Sequence, residues 1–105
     1  MKGKTEVIDM KLYNCNATCS MWDLVSYNTR LFWIAGTYYI LYIYPSNTSK
    51  MHIRKYIQWL HDNNYDAQAD IVQHMYNLGI KAKKLFVIYG SIADKYYVVD
   101  DYVIS

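Results

Sequence analysis

Much of what catalysis or export usually requires is scarce in this chain. There is one glutamate, Glu6, and the adjacent Asp100 and Asp101 fall in a strand-like stretch. Neighbours on a strand face opposite ways, so these two acids do not converge on one substrate. Four scattered glycines leave no glycine-rich loop to cradle a phosphate. The longest unbroken apolar run, Tyr38 to Tyr44, is far shorter than the roughly 20 residues of a membrane span, so no membrane association is expected. The N-terminal MKGKTEVIDMK has no apolar core of a secretory signal. The expectation is a cytoplasmic protein in a reducing compartment, which disfavours a disulfide between Cys15 and Cys19. Charge of one sign is also lacking. With 11 basic and 9 acidic residues the net charge is +2, too mild for a duplex-DNA binder and the wrong sign for a nucleic-acid mimic.

The remainder is rich in apolar and aromatic residues. A chain of 105 residues, 53% hydrophobic and 19% charged, can bury one core and predicts a single domain. Tyr, Ile, Lys and Asn together make 40 of the 105 residues, and Lys far outnumbers Arg. All four have AT-rich codons. That bias suits a phage or mobile-element accessory protein, which would act in the host cytoplasm, and such proteins often inhibit a host defence protein.

The chain contains no internal repeat or linker. Residues 5 to 13 alternate, with Ile8, Met10 and Leu12 on one side, as in a half-buried strand. Ser20 followed by Asp23 is a capping signature that predicts a short helix from Met21 to about Tyr27. Two apolar runs, Leu31 to Ala35 and Tyr38 to Tyr44, flank Gly36-Thr37 as a hairpin that Pro45 closes. A helical hairpin is expected over 46–79. Ser49 and Asn64 serve as caps, Ile53, Tyr56, Ile57 and Leu60 form one stripe, and Ala67, Ile71, Val72, Met75 and Leu78 form the other. Gly79 is the expected stop. Strands from Leu85 to Tyr89 and Tyr96 to Val103 complete the chain. The predicted fold is α+β: a mainly antiparallel sheet of about five strands, a helical hairpin on one face, and one short extra helix.

In YNCNATCSMWD, Cys15 and Cys19 invite four readings: metal ligands, a disulfide, a reactive thiol, or packing. Zinc requires four ligands, usually in two close pairs. His52, His61 and His74 stand singly, so no metal and no cofactor is expected. The stretch YNCNATCSMWDLVSYN resembles the N-terminal motif of the papain-like C39 peptidase family, and KKLFVIYGSIADKYYVVDDY is similar to its paired catalytic strands. The resemblance implies Cys15 as nucleophile, Cys19 as the second cysteine and Asp100 as the acid. Lys84 stands where the family has its histidine and Asn16 where it has glycine, so the resemblance implies an inactive relative. Packing of small, buried thiols is the fourth reading and the one expected.

Tyrosine marks the working surface. In TYYILYIY, a period of two puts Tyr38, Ile40, Tyr42 and Tyr44 on one face and Tyr39, Leu41 and Ile43 on the other. The second set suits a core beneath the helices. The first is then an aromatic face that Trp33 and Tyr89 join if the register allows. Exposed aromatic clusters mark interaction sites. The expected function is non-enzymatic protein binding, with a host protein or a second copy (a homodimer) as partner. Trp33, Tyr38, Tyr42 and Tyr44 make the contact, with Arg54 and Lys55 as a polar rim. Single-stranded RNA or DNA stacking on the same rings is the alternative, with Lys81, Lys83 and Lys84 as candidate cations.

Overall fold

The computed structural model describes residues 10–12 and 16–100. Most of the strand expected over 5–13, the end of the last strand, and Cys15 lie outside these residues. Seven strands and two helices follow in the order β1 (Met10–Lys11), β2 (Ala17–Cys19), β3 (Asp23–Ser26), β4 (Thr29–Ala35), β5 (Tyr38–Tyr42), α1 (Asn47–Asp62), α2 (Asp66–Ala82), β6 (Phe86–Gly90) and β7 (Lys95–Val99). Every strand pairs antiparallel with its sequence neighbour, so the sheet order is β1 to β7. The helical hairpin is inserted between β5 and β6, which are themselves paired from Tyr38↔Gly90 to Tyr42↔Phe86. The class is α+β, with an antiparallel sheet and the helix pair packed on one face.

The short extra helix is not there. Asp23–Ser26 is strand β3, joined to β4 by a tight turn at Tyr27-Asn28. Half of the capping pattern forms: Trp22 N–H donates to Ser20 Oγ at 3.1 Å, but Ser20 N–H donates to the Asp23 carbonyl at 2.9 Å, and the Asp23 carboxylate accepts from Ser20 Oγ–H at 2.9 Å instead. They fold the chain between β2 and β3 instead of opening a helix. The period of two decides the matter, because Leu24 and Ser26 are buried and the residues between them are not. Tyr27 takes the left-handed conformation (φ +56°) that this turn demands. Gly36 takes it at the β4–β5 turn (φ +62°), where the hairpin was expected.

In α1 the stripe Ile53, Tyr56, Ile57 and Leu60 is buried, joined by Ser49, His52 and Trp59. The N-cap is Ser46, not Ser49: Ser46 Oγ accepts from Ser49 N–H at 3.1 Å, and Ser49 is one of the buried residues. Tyr65, not Asn64, occupies the N-cap of α2. The buried face of α2 runs Gln68, Ala69, Val72, Met75, Tyr76 and Gly79, so only Val72 and Met75 of the expected stripe are fully inside. Ala67 is exposed, and Ile71 and Leu78 are half-buried.

Gly79 does not end α2. It lies inside the helix, where an added Cβ would collide with the Ile43 side chain and come within 2.9 Å of Val87 Cγ2. The missing side chain lets α2 approach β5 and β6 closely. The left-handed terminus falls on Lys83 (φ +59°). There Lys84 N–H reaches Gly79 C=O at 3.2 Å and Lys83 N–H reaches Ile80 C=O at 3.3 Å, the paired bonds of a Schellman ending.

This exchange of roles yields a prediction. Gly79→Ala gains roughly 1 kcal/mol of helix propensity, yet overpacks a closed core at a typical cost of about 1–3 kcal/mol. We expect net destabilisation in urea unfolding. Lys83→Gly relieves a left-handed non-glycine residue and is expected to stabilise by roughly 0.5–1 kcal/mol.

Candidate interaction face

The two faces of the central strands differ in what covers them. On one, Leu24, Phe32, Leu41, Ile43 and Val87 are buried against Ile53, Tyr56, Leu60, Val72 and Met75 of the helices. On the other, cross-strand registry builds two rows. Trp33, Ile40, Ile88 and Tyr97 form one; Ala35, Tyr38, Gly90 and Lys95 form the next. A third, shorter row pairs Tyr42 with Phe86 and Phe86 with Val99. Among the described residues no helix lies over these rows.

A bulge in β4 sets the edge of this face. Leu24 pairs with Phe32 but Val25 pairs with Arg30, so Leu31 is an extra residue. Leu31 and Phe32 are both fully buried in the core. Arg30 and Trp33 are three apart and would sit on opposite faces under plain alternation. The extra residue brings them together, and the Arg30 guanidinium lies 5.3 Å from the centre of the Trp33 ring.

The expected site residues separate into two groups. Tyr38 is 51% exposed and Tyr44 45% exposed. Tyr42 is half-buried, stacked on Phe86 with centroids 4.6 Å apart and planes 12° apart, and it meets Tyr44 edge-on at 5.9 Å. Trp33 is half-buried on the same face. Ile40 between them is fully covered. Arg54 and Lys55, however, belong to α1 on the far side of the sheet. Arg54 donates from Nη1 to the Tyr76 hydroxyl at 3.0 Å, tying α1 to α2. The cations on the aromatic face are instead Arg30 and Lys95.

Tyr89 does not join that face, because its register partner is Tyr39. Tyr39, Tyr89 and Tyr96 form a ladder on the helix side, with centroids 5.7 and 4.5 Å apart, and His74 of α2 packs on Tyr96 at 4.5 Å. The Tyr89 hydroxyl donates to Asp94 Oδ1 at 2.8 Å. That carboxylate, with burial second, pushes the Tyr89 pKa up to about 12. Sequence alone did not single out Arg30, Ala35, Phe86, Ile88, Lys95 or Tyr97 for this face. The alternation of β6 and β7 carried the signal, but it becomes usable only once the register is known.

Cys19 is fully buried on β2 opposite Leu24, as packing requires. At the positions where the peptidase resemblance looks for a histidine and an acid, Lys84 Nζ lies 3.0 Å from Asp100 Oδ2 as an ion pair. Among the described residues no group of three His, Cys, Asp or Glu side chains can hold a metal. Ser26 Oγ and His52 Nδ1 lie 2.6 Å apart, a hydroxyl–imidazole pair. With 2% and 1% exposure it admits no substrate and instead clamps α1 to β3. Comparison with protein-family models, curated proteins and solved structures finds no match for this chain.

Burial, and then the charge of Lys55, lowers the His52 pKa below its usual 6.5. The folded state therefore favours neutral imidazole, and the unfolded chain takes up the proton first as pH falls. The clamp's full stability is present above about pH 6.5 and is lost as pH drops through the depressed folded value. The urea midpoint should fall between about pH 7 and pH 5, and His52→Gln should show a shallower slope across that window.

Proposed function

We propose that this protein is a non-enzymatic binding module that docks another protein on the sheet face opposite its helices. It acts by occupying its partner's surface, the steric mode expected of an accessory or inhibitory protein. The observation that carries this reading is the exposure of Tyr38, Tyr44 and Tyr97, at 45–51%, on one sheet face lined by Trp33, Ile40, Tyr42, Phe86 and Ile88. Large rings held on strands lose little freedom on contact, so they suit an interface anchor.

Base stacking is less well served by the same rings. Tyr42 and Phe86 each turn a ring face toward the other, and the Arg30 guanidinium lies over the Trp33 ring. Arg30 and Lys95 supply few cations for a phosphate chain, and Lys84 is engaged with Asp100.

A photo-crosslinking amino acid at Tyr38 tests the reading in cells that express the full chain. One defined protein adduct is expected from position 38 and none from exposed Gln73 on α2. Identical adducts from both positions would count against it. So would binding of oligo-U or oligo-dT that weakens steeply with salt and is lost in Tyr38→Ser. The Tyr38→Ser, Tyr44→Ser double variant should unfold within about 1 kcal/mol of wild type, since both rings are half exposed.

A further inference from the structure

Resting on the docking reading above, we propose that the cavity between Ala35, Tyr38, Ile88 and Tyr97 is the anchor point, and that it takes a bulky apolar side chain flanked by a carboxylate on an extended segment of another protein. The cavity holds about 290 Å³ and is walled almost wholly by hydrocarbon. Its origin is a gap in the checkerboard. Ala35 and Gly90 are the small members of their row, and the Tyr38 ring lies across Gly90, 3.2 Å from where a Cβ would stand. The Tyr38 and Tyr97 rings are left as two walls, with half-buried Ile88 between them.

Charge selects the occupant. Lys95 is exposed, pairs with Gly90 in the row of Ala35 and Tyr38, and shares a face of β7 with Tyr97, so it is the cation of the strand positions that border the cavity. Lys95 has no ion-pair partner among the described residues. The adjacent Asp94 is turned to the helix side, where it accepts from Tyr89. Among the described residues of these rows, the one acid is Asp23, at the β3 end beside Trp33. The cavity end is therefore apolar and cationic, which complements a segment with an apolar residue next to Asp or Glu. A second copy is the less complementary occupant, because an isologous contact would set two faces that both carry Arg30 and Lys95 against each other. A nucleic-acid base would find a mainly hydrocarbon floor, with only the Tyr38 and Tyr97 hydroxyls as polar groups in the lining.

Selection of random peptides displayed on phage against the immobilised full chain tests this, followed by anisotropy titration of recovered peptides. Enrichment of a bulky apolar residue beside Asp or Glu is expected. Ala35→Leu, which fills the cavity from an exposed position, should weaken binding about tenfold or more. Lys95→Glu should weaken it roughly threefold, with reduced salt dependence, as for a rim charge. Gln73→Ala, at an exposed position of α2, should leave it unchanged. Peptides that resist Ala35→Leu but are lost with Tyr42→Ser would overturn the cavity while leaving the docking face in place. Peptides indifferent to every one of these substitutions would overturn both. Concentration-dependent self-association abolished by Ala35→Leu would replace the proposed occupant with a second copy and overturn the inference.

Discussion

The close seat of α2 on β5 and β6 is the contact on which the rest of the architecture depends. Where the helix crosses the sheet, Gly79 replaces a side chain with empty space that Ile43 and Val87 fill. The helix pair can then cover the Leu41 and Val87 side of the sheet with a single apolar layer from Ile53 to Tyr76. One helical hairpin covers one face. A strand covered by helices on one side only alternates, and the chain from Tyr38 to Ile43 does so, with Leu41 and Ile43 toward the helices and Tyr38, Ile40 and Tyr42 on the other face. The aromatic face is thus the other half of the same pattern that builds the core.

The bulge at Leu31 extends that logic to the sheet's edge. Without the extra residue, either Leu31 would leave the core with Arg30 turned inward, or Phe32 would leave it with Trp33 turned inward. With it, both hydrophobes are fully buried and Arg30 lies over Trp33 on the outer face. Bulges increase local twist and re-aim side chains. Here one inserted residue serves the interior and the surface together.

Local patterns in the sequence revealed the parts of the fold that depend on local physics. The Gly36 turn, the α1 stripe and the alternation of β5 each need only period and one turn residue. Where the signals failed, tertiary contact outweighed a local rule. Ser20 accepts the hydrogen bond of an N-cap from Trp22, yet Leu24 and Ser26 are drawn alternately into the core, the latter by His52. Gly79 looked like a terminus because glycine favours the left-handed end, but it is needed for close approach, and Lys83 bears the strained φ instead. Tyr27 hid a turn for the same reason, since nothing in its chemistry announces a positive φ. The aromatic face was half visible. Tyr38, Tyr42 and Tyr44 lie on one strand or just past its end, whereas Ile88, Lys95 and Tyr97 join them only through pairing across β6 and β7.

The division of the tyrosines shows why their abundance alone did not identify the surface. A buried phenol must satisfy its hydroxyl. Tyr56 donates to Ser20 C=O at 2.8 Å, Tyr89 to Asp94, and Tyr76 accepts from Arg54. Burial correspondingly raises the Tyr56 pKa well above the ordinary phenol range. These three inward tyrosines have fixed hydroxyl partners and act as ties as well as fillers. Tyr38 and Tyr97 need none, because water reaches both. Their rings are positioned by cross-strand neighbours, Gly90 beneath Tyr38 and Ile88 beside Tyr97. A docking partner would find walls already in place and would displace water chiefly from hydrocarbon. That combination, a preformed cavity with little ordering left to do, favours association even where the contact area is small.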